Sequence, residues 1–278
     1  MFEALITHHY LIMLVLTFGG MLCILLVEQI MPRRAMAVAS PGRRWLTNWM
    51  VAYINYVALV WVSTALATST WLRAWVPDFT LLTTVHPVLA FVVAYGVLEI
   101  IAYVLHRLHH SVPLLWRLHA VHHSDTHMDV TTAHRHHLFE PLINLVLLIP
   151  VLMLLGTPAA VMVLVVMVRE ALVLFNHSNL SIPPALDRIL RWVIVTPDFH
   201  RLHHRSDQQY TDSNYGVTLT VFDHLFRSAT DSPHQEQTQF ELGLEYLRTP
   251  KDSRLDRLFL LPFKWQAWGQ PSRRKKSE

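Results

Sequence analysis

Three histidine-rich boxes are the feature of this sequence best suited to do chemistry. The first box spans His106 to His110, the second His119 to His123, and the third His200 to His204. The second and third boxes share the pattern HxxHH, in which positions i, i+3 and i+4 fall on one side of a helix. Each is therefore predicted to aim three imidazoles at one point, and the first box adds two more from its ends.

Eight box histidines form the predicted metal-binding set: His106, His110, His119, His122, His123, His200, His203 and His204. Eight nitrogens exceed what one tetrahedral ion needs and suit a pair of ions, and imidazole binds Zn, Cu, Fe and Ni well. Two further histidines, His137 and His177, are possible additional ligands. Four others are interpreted as supporting or surface groups: His109, His127, His134 and His136.

Carboxylates near the boxes are expected to orient the ligating imidazoles, because metal-bound histidines usually donate their second N–H to such a group. Glu99 shares a helix face with the first box, and a carboxylate in an apolar segment is costly unless it faces the bundle interior. Glu170 lies seven residues before His177 and is positioned to orient it, with an ion pair to Arg169 as the alternative. Asp198, just before the third box, is a third supporting carboxylate.

The composition is that of a membrane protein. Of the 278 residues, 52% are hydrophobic and 15% are charged, whereas soluble domains contain about 25% charged residues. The net charge is +3 with histidine neutral. Because the arginines flank apolar runs, this excess is assigned to membrane orientation and not to nucleic-acid binding. The single cysteine, Cys23, lies in an apolar run and excludes a disulfide framework.

The apolar runs predict an all-α fold, a multi-pass membrane bundle of three spans plus a helical hairpin. The spans are predicted at about 10–31, 49–71 and from 87 to the first box, and the hairpin at 138–155 and 159–175. Glycine and proline at 156–158 form its turn. The first run is longer than a signal-peptide core and is interpreted as a retained span. The chain from Asn176 onward is predicted to form a histidine-rich helical cap within a single domain over 1–278, with a basic tail at 270–278.

Arginine counts predict the orientation in the membrane. The connection between the first two runs contains Arg33, Arg34, Arg43 and Arg44, and the next connection contains one arginine. The positive-inside rule therefore places the first connection in the cytoplasm. The third run and the returning hairpin then bring all three boxes to the cytoplasmic face of a bacterial inner membrane or the endoplasmic reticulum.

The boxes and the words around them resemble the fatty acid hydroxylase / sterol desaturase superfamily of integral-membrane oxygenases. The matching words are HRxxH at 106–110, Trp116 followed by HAVHHS at 119–124, TTAHR at 131–135, FNH at 175–177, TPDFHRLHH at 196–204, NYG at 214–216 and FDHLF at 222–226. The likeness extends over about 99–228. Glu99 and Phe222 stand where many relatives carry Asp and Trp, and Arg227-Ser228 replaces a common Gly-Thr. These departures bear on the subfamily and not on the boxes.

This resemblance implies two iron ions held by the boxes, O2 as oxidant, and hydroxylation or desaturation at an unactivated lipid C–H bond. It also implies a separate electron-donor protein. The lipid stays open between fatty acyl chain, sterol, carotenoid and ether lipid.

The residues alone leave other functions open. A membrane metal-binding or transport protein is disfavoured because transport needs polar groups near the midplane, whereas these histidines gather at one face. A zinc-dependent membrane hydrolase is disfavoured by the excess of ligands and by the lack of an HExxH motif. The remaining alternative is a scaffold that kept the fold without the chemistry.

Overall fold

The computed structural model describes residues 7–69 and 81–268. Its helices are α1 His9–Ile30, α2 Pro41–Thr68, α3 Pro87–Ser111, α4 Pro113–His123, α5 Phe139–Leu154, α6 Ala159–Asn176, α7 Pro184–Leu190, α8 Pro197–His203, α9 Gln208–Thr211, α10 Val221–Leu225, α11 Leu255–Leu260 and α12 Trp265–Trp268. Short 3-10 turns occur at Leu81–Thr83, Val130–His134 and His234–Thr238. The β-structure of the described residues is confined to isolated bridges, so the all-α prediction is confirmed.

Four of the described helices, α1, α2, α3 and α6, are long and apolar enough to cross a membrane. The shorter apolar helix α5 precedes α6, and the turn between them contains Gly156 in the left-handed region at φ 62°. Three spans and a hairpin are therefore confirmed, with the bounds of α1, α5 and α6 within two residues of those predicted.

The predicted start of the second span is wrong. Helix α2 begins at position 41 and not at 49, because Pro41 occupies the first turn, where its missing N–H costs nothing. Arg43 and Arg44 therefore belong to the helix and not to the connection before it. The predicted connection at 72–84 lies mostly outside the described residues, and the basic tail lies wholly outside them.

The bundle core lies where α3 packs against α5 and α6. Small residues of α3, including Ala90 and Ala94, are completely buried against Leu152 of α5 and Val165 of α6. Alanines allow helices to approach closely, which matters in a bilayer because lipid supplies no hydrophobic driving force between helices. Helix α3 is thereby fixed, and it carries the first box at its end.

A sharp turn between α3 and α4 brings the first two boxes together. Helix α3 ends at Ser111 and α4 begins at Pro113, with Val112 extended between them at ψ 115°. The residue before a proline is disfavoured in the α conformation, so the chain must break here. Box residues only a turn or two from the break then lie close together, with Nε2 of His106 3.1 Å from Nε2 of His119.

A buried ion-pair network, here called the Arg44 clamp, joins α2 to the segment that follows the second box. The Arg44 guanidinium donates to both carboxylate oxygens of Asp125, each at 2.7 Å, and to Asp129 at 2.5 Å. Arg135 donates to the Asn48 side chain of α2 at 2.8 Å and to the carbonyl of Val121 at 3.1 Å. The clamp therefore holds the second box against the second span.

Candidate metal centre

Two clusters of imidazoles meet at one end of the bundle. The five-histidine cluster consists of His106, His110, His119, His123 and His203, and the four-histidine cluster of His122, His177, His200 and His204. Within each cluster, one potential ligand atom per residue lies within 4.8 Å of every other. The structure therefore brings together all eight predicted box residues and His177.

Each HxxHH box is divided between the two clusters, contrary to the prediction that all three of its histidines share a target. The residues at i and i+4 stay together, as His119 and His123 do in one cluster and His200 and His204 in the other. The residue at i+3 joins the opposite cluster. At 3.6 residues per turn, positions i+3 and i+4 point about 100° apart, so each helix presents ligands to two neighbouring sites at once.

In the five-histidine cluster, hydrogen bonds at the outer nitrogens fix the tautomers of three rings. The Nδ1–H of His106 donates to the Tyr215 carbonyl at 2.8 Å, that of His203 to the Ser213 carbonyl at 2.7 Å, and that of His119 to Glu140 at 2.8 Å. A neutral ring that is protonated at Nδ1 has a lone pair at Nε2. The Nε2 atom of His106 lies 3.0 Å from that of His203 and 3.1 Å from that of His119. These facing lone pairs repel each other unless a cation lies among them.

The four-histidine cluster has the same inward arrangement. The Nδ1–H of His177 donates to the Val173 carbonyl at 2.9 Å, so its Nε2 also carries a lone pair. That Nε2 lies 3.2 Å from Nε2 of His122 and 3.0 Å from Nε2 of His200. The Nε2 atom of His204 follows, 3.2 Å from that of His200. Imidazoles that converge through Nε2 form a donor set for a metal ion.

Neighbouring Nε2 atoms within the clusters lie 3.0 to 3.2 Å apart. With metal–nitrogen bonds of about 2.0–2.1 Å, two ligands of one ion lie about 2.8–3.4 Å apart, depending on the angle between the bonds. The separations are therefore those of ligands that share a metal ion.

The electrostatic environment keeps the rings neutral, which metal binding requires. Burial, reinforced by the neighbouring imidazoles, lowers the pKa of His122, His123 and His203 well below the ordinary histidine value. Burial also lowers the pKa of His177 to about 3. The lone pairs are therefore free of protons at neutral pH.

Comparison with models of protein families shows which family this chain resembles. The fatty acid hydroxylase family model matches residues 91–228, which contain all three boxes and His177. This chain belongs to the fatty acid hydroxylase superfamily. No solved structure matched the chain at a significant level.

Proteins similar to this chain include enzymes that act on lipids. An ornithine lipid hydroxylase of Rhizobium tropici is 33% identical over 152 residues, which cover 54% of this chain and 45% of the relative. An alkylglycerol monooxygenase of Xenopus tropicalis is 29% identical and covers 50% and 30%. A very-long-chain aldehyde decarbonylase of Oryza sativa is 31% identical and covers 51% and 23%. The chain thus spans less than half the length of these relatives.

The two additional ligand candidates differ in their surroundings. His177 lies inside the four-histidine cluster, whereas His137 lies outside both clusters. Its Nε2–H donates to the Phe259 carbonyl at 3.2 Å, and its Nδ1 accepts the Phe139 N–H at 3.3 Å. Both ring nitrogens of His137 are therefore occupied by the backbone. The sequence does not separate the two, since His177 follows an apolar run and His137 a histidine-rich one. The distinction comes from the groups that surround each ring in the folded chain.

The carboxylate partners also differ from those predicted. Glu99 accepts from Arg169 at 2.9 Å and from the N–H groups of Thr218 and Leu219 at 2.9 and 3.3 Å, and not from a box imidazole. Helix α6 and the chain after α9 thus provide its partners, which the spacing along α3 does not reveal. Arg169 pairs with Glu99 of α3, so the alternative pairing of Arg169 with Glu170 is replaced by an ion pair between helices.

Glu170 and Asp198 likewise contact groups outside the nine histidines. Glu170 accepts from Thr17 at 2.7 Å and from Nε2 of His134 at 2.8 Å, and not from His177, because the His177 Nδ1–H bonds to its own helix. Asp198 forms ion pairs with Arg33 and Arg201, and its carboxylate lies 3.2 Å from Nδ1 of His234. These carboxylates hold together the elements that carry the ligands.

The loop that contains the NYG word supplies the carbonyl acceptors for two box histidines. Asn214 adopts φ 53°, a left-handed conformation that asparagine tolerates. A Cβ at Gly216 would lie 2.4 Å from the Leu219 carbonyl oxygen, so only glycine is accommodated there. The Asp223 carboxylate accepts the N–H groups of Tyr215 and Gly216 at 2.8 and 2.7 Å. This rigid loop therefore holds His106 and His203 each in one tautomer through its backbone carbonyl groups.

Glu140 is a supporting residue that the sequence reasoning missed. It is buried at the start of α5 and accepts from Nδ1 of His119 at 2.8 Å and from Nδ1 of His136 at 3.0 Å. The His136 ring stacks on His122 at 4.2 Å, so one carboxylate supports rings in both clusters. The sequence signal that could have identified Glu140 is an acidic residue that closely follows a histidine-rich run, in the first turn of a helix.

We expect Glu140→Gln to weaken metal binding about 10–100-fold, the usual cost of losing the partner of a ligating histidine. The amide oxygen accepts a hydrogen bond less strongly than a carboxylate does, and the amide NH2 group, being a donor, cannot accept the His119 N–H. Metal retained during dialysis against graded chelator measures the change. Glu241→Gln, at an exposed carboxylate that pairs with Arg248, is the control and should bind metal like the unmodified chain.

Proposed function

We propose that this chain is a membrane lipid oxygenase that holds one iron ion in each histidine cluster. With O2 and electrons from a separate donor protein, it hydroxylates a lipid C–H bond. The observation that carries this proposal is the convergence of potential ligand nitrogens from nine histidines in two adjoining clusters at the end of apolar spanning helices. The lipid-acting relatives support the substrate class.

The bound iron pair would supply activation of O2 for attack on an unactivated C–H bond. The protein's contribution is to hold the ligands in place before the ions arrive. Tyr215, Ser213 and Glu140 fix ring tautomers, and burial of the nine histidines excludes water. The Trp116 ring, 5.1 Å from His110 and 5.5 Å from His123, lines the five-histidine cluster with an aromatic surface suited to an acyl chain.

The proposed location is the cytoplasmic membrane face. Arg33 follows the first span and donates to Asp198, two residues before His200, at 3.2 Å. The connection with Arg33 and Arg34, the start of α2 with Arg43 and Arg44, and the third box therefore occupy the same end of the bundle. Because arginine-rich connections stay in the cytoplasm, the clusters are assigned to that side, where a soluble or peripheral electron donor has access.

His177 and His137 provide a direct test of the ligand set. We expect His177→Ala to lose the iron of the four-histidine cluster, because one of its four ligands is gone. His137→Ala should keep both ions, since both His137 ring nitrogens face backbone groups. Iron per purified chain measures both outcomes, and equal losses in the two variants would contradict the assignment.

The proposed activity is tested by comparing the lipids of cells that express the chain with those of cells that express His200→Ala. We expect a lipid that has gained one oxygen atom, carrying the isotope when labelled O2 is supplied. Loss of two hydrogens without isotope would instead indicate desaturation. Purified protein that holds only zinc, with no reductant-dependent O2 consumption, would overturn the oxygenase proposal in favour of the hydrolase.

A further inference from the structure

The helix α7 and the helix α10 together present an exposed apolar surface, here called the α7–α10 face. Its members are large hydrophobic side chains exposed at the protein surface: Leu186, Ile189, Trp192, Val193, Val221 and Leu225. Ile189 is 69% exposed, Trp192 67% and Leu225 65%. Contiguous exposed apolar surfaces mark sites of protein or membrane contact.

The two parts of this face are physically joined. The Trp192 ring stacks on His224 of α10 at 5.0 Å. The Thr220 N–H donates to the Val193 carbonyl at 3.1 Å, and the Val195 N–H donates to the Thr218 carbonyl at 2.9 Å. The chain after α7 and the chain before α10 therefore form one surface.

This surface lies alongside the third span, well short of its end. The N–H groups of Thr218 and Leu219 donate to Glu99 of α3, and Leu219 forms a bridge with Ile194. Glu99 precedes Ser111, the last residue of α3, by twelve positions (111 − 99), or about 18 Å of helix. Since the hydrocarbon core is about 30 Å thick, the chain at 218–219, which joins the two parts of the α7–α10 face, lies beside the third span at membrane depth.

The chemistry of α7 suits a position in the membrane interface. Leu186 and Ile189 are spaced i and i+3 and form an apolar stripe on α7, and the exposed Val193 extends the apolar surface just past the end of the helix. Asp187 is buried and pairs with Arg191. Arg188 is exposed beside the stripe, where its long side chain can reach lipid phosphates. Tryptophan and arginine beside an apolar stripe are typical of helices that lie in the interface.

We propose that the α7–α10 face is immersed in the lipid bilayer, in the leaflet next to the histidine clusters. This part of the chain, expected in a cytoplasmic cap, forms a membrane-inserted segment whose backbone N–H groups bond to protein. Backbone at membrane depth requires such internal bonding. Lipid contacts the protein at this face as well as around the spans, close to the loop that supports His106 and His203.

Environment-sensitive labels at single cysteines test the immersion. Cys23 is the only cysteine, so Cys23→Ser provides a background for Ile189→Cys, Trp192→Cys and Leu225→Cys. Gln235→Cys, at an exposed polar position, is the matched control. Each is labelled with a nitrobenzoxadiazole fluorophore in phosphatidylcholine–phosphatidylglycerol vesicles. We expect several-fold stronger quenching by acyl-chain spin labels, and several-fold weaker quenching by iodide, at the three test positions than at Gln235.

A second measurement uses the unmodified chain. Lipids that carry a photoactivatable diazirine in the acyl chain should form adducts on the peptides containing 189–193 and 221–226. Iodide access equal to that at Gln235, with adducts confined to the helices α1, α2, α3, α5 and α6, would overturn the proposal. Protection of the labels from both quenchers would also overturn it, because it would mean that a protein partner or a second copy covers the face.

Discussion

His122→Ala is expected to lower the iron content from two ions to about one per chain and to abolish lipid turnover. His122 is one of four ligands proposed for its cluster, and its ring contacts those of His177 and His204. Removing a ligand should cost more than the roughly 10–100-fold attributed to loss of a supporting partner. His203→Ala should also abolish turnover, but its cluster keeps four other histidines and should lose its ion less completely. Iron analysis and product formation by mass spectrometry measure both effects.

His109→Ala is the matched control for these variants. His109 belongs to the first box and is as buried as the ligands, but its Nδ1–H donates to the Leu105 carbonyl at 2.7 Å and it lies outside both clusters. It should keep both ions. If it loses iron as completely as His122→Ala, the loss reflects damage to packing, and the proposed ligand set is wrong. All three variants should still be inserted in the membrane, since no span has lost its apolar face.

Arg44→Met is expected to destabilise the fold by about 3–5 kcal/mol, because it leaves buried carboxylates without their cation. Asp125 and Asp129 are each 1% exposed in their side chains and both bind Arg44. Burial alone would raise the pKa of Asp125, but Arg44 and Arg135 lower it below the ordinary value. The carboxylate is therefore charged in the native state and depends on its partner. Thermal unfolding in detergent, followed by tryptophan fluorescence, measures the loss.

Arg43→Met provides the comparison. Arg43 is exposed in the same helical turn, so its replacement should change the stability by no more than about 0.5 kcal/mol. Adding Asp125→Asn to Arg44→Met should recover part of the stability by removing one unpaired charge. Acidification should also stabilise Arg44→Met relative to the unmodified chain, because the freed Asp125 pKa rises and the group then takes up a proton. Equal unfolding temperatures for Arg43→Met and Arg44→Met would contradict a structural role for the clamp.

The sequence determined the set of clustered histidines and the membrane helices. Apolar runs about 20 residues long specify spanning helices, since length and hydropathy alone decide whether a segment can cross a bilayer. The i, i+4 pairs, such as His106 with His110, specify which imidazoles share a helix face. The boxes and the words around them also indicated the family, because order and spacing are read directly from the chain.

Only the tertiary structure decided how those imidazoles are divided. His122 and His203 each point about 100° around the helix axis from the next histidine of their boxes. They therefore join a different cluster, which is completed by helices from distant parts of the chain. The tertiary structure also decided the partners of two carboxylates. Glu99 contacts α6 and the chain after α9, and Glu140 contacts His119 across the connection between α4 and α5. A periodicity along one helix fixes which way a side chain points but cannot identify the group that it meets.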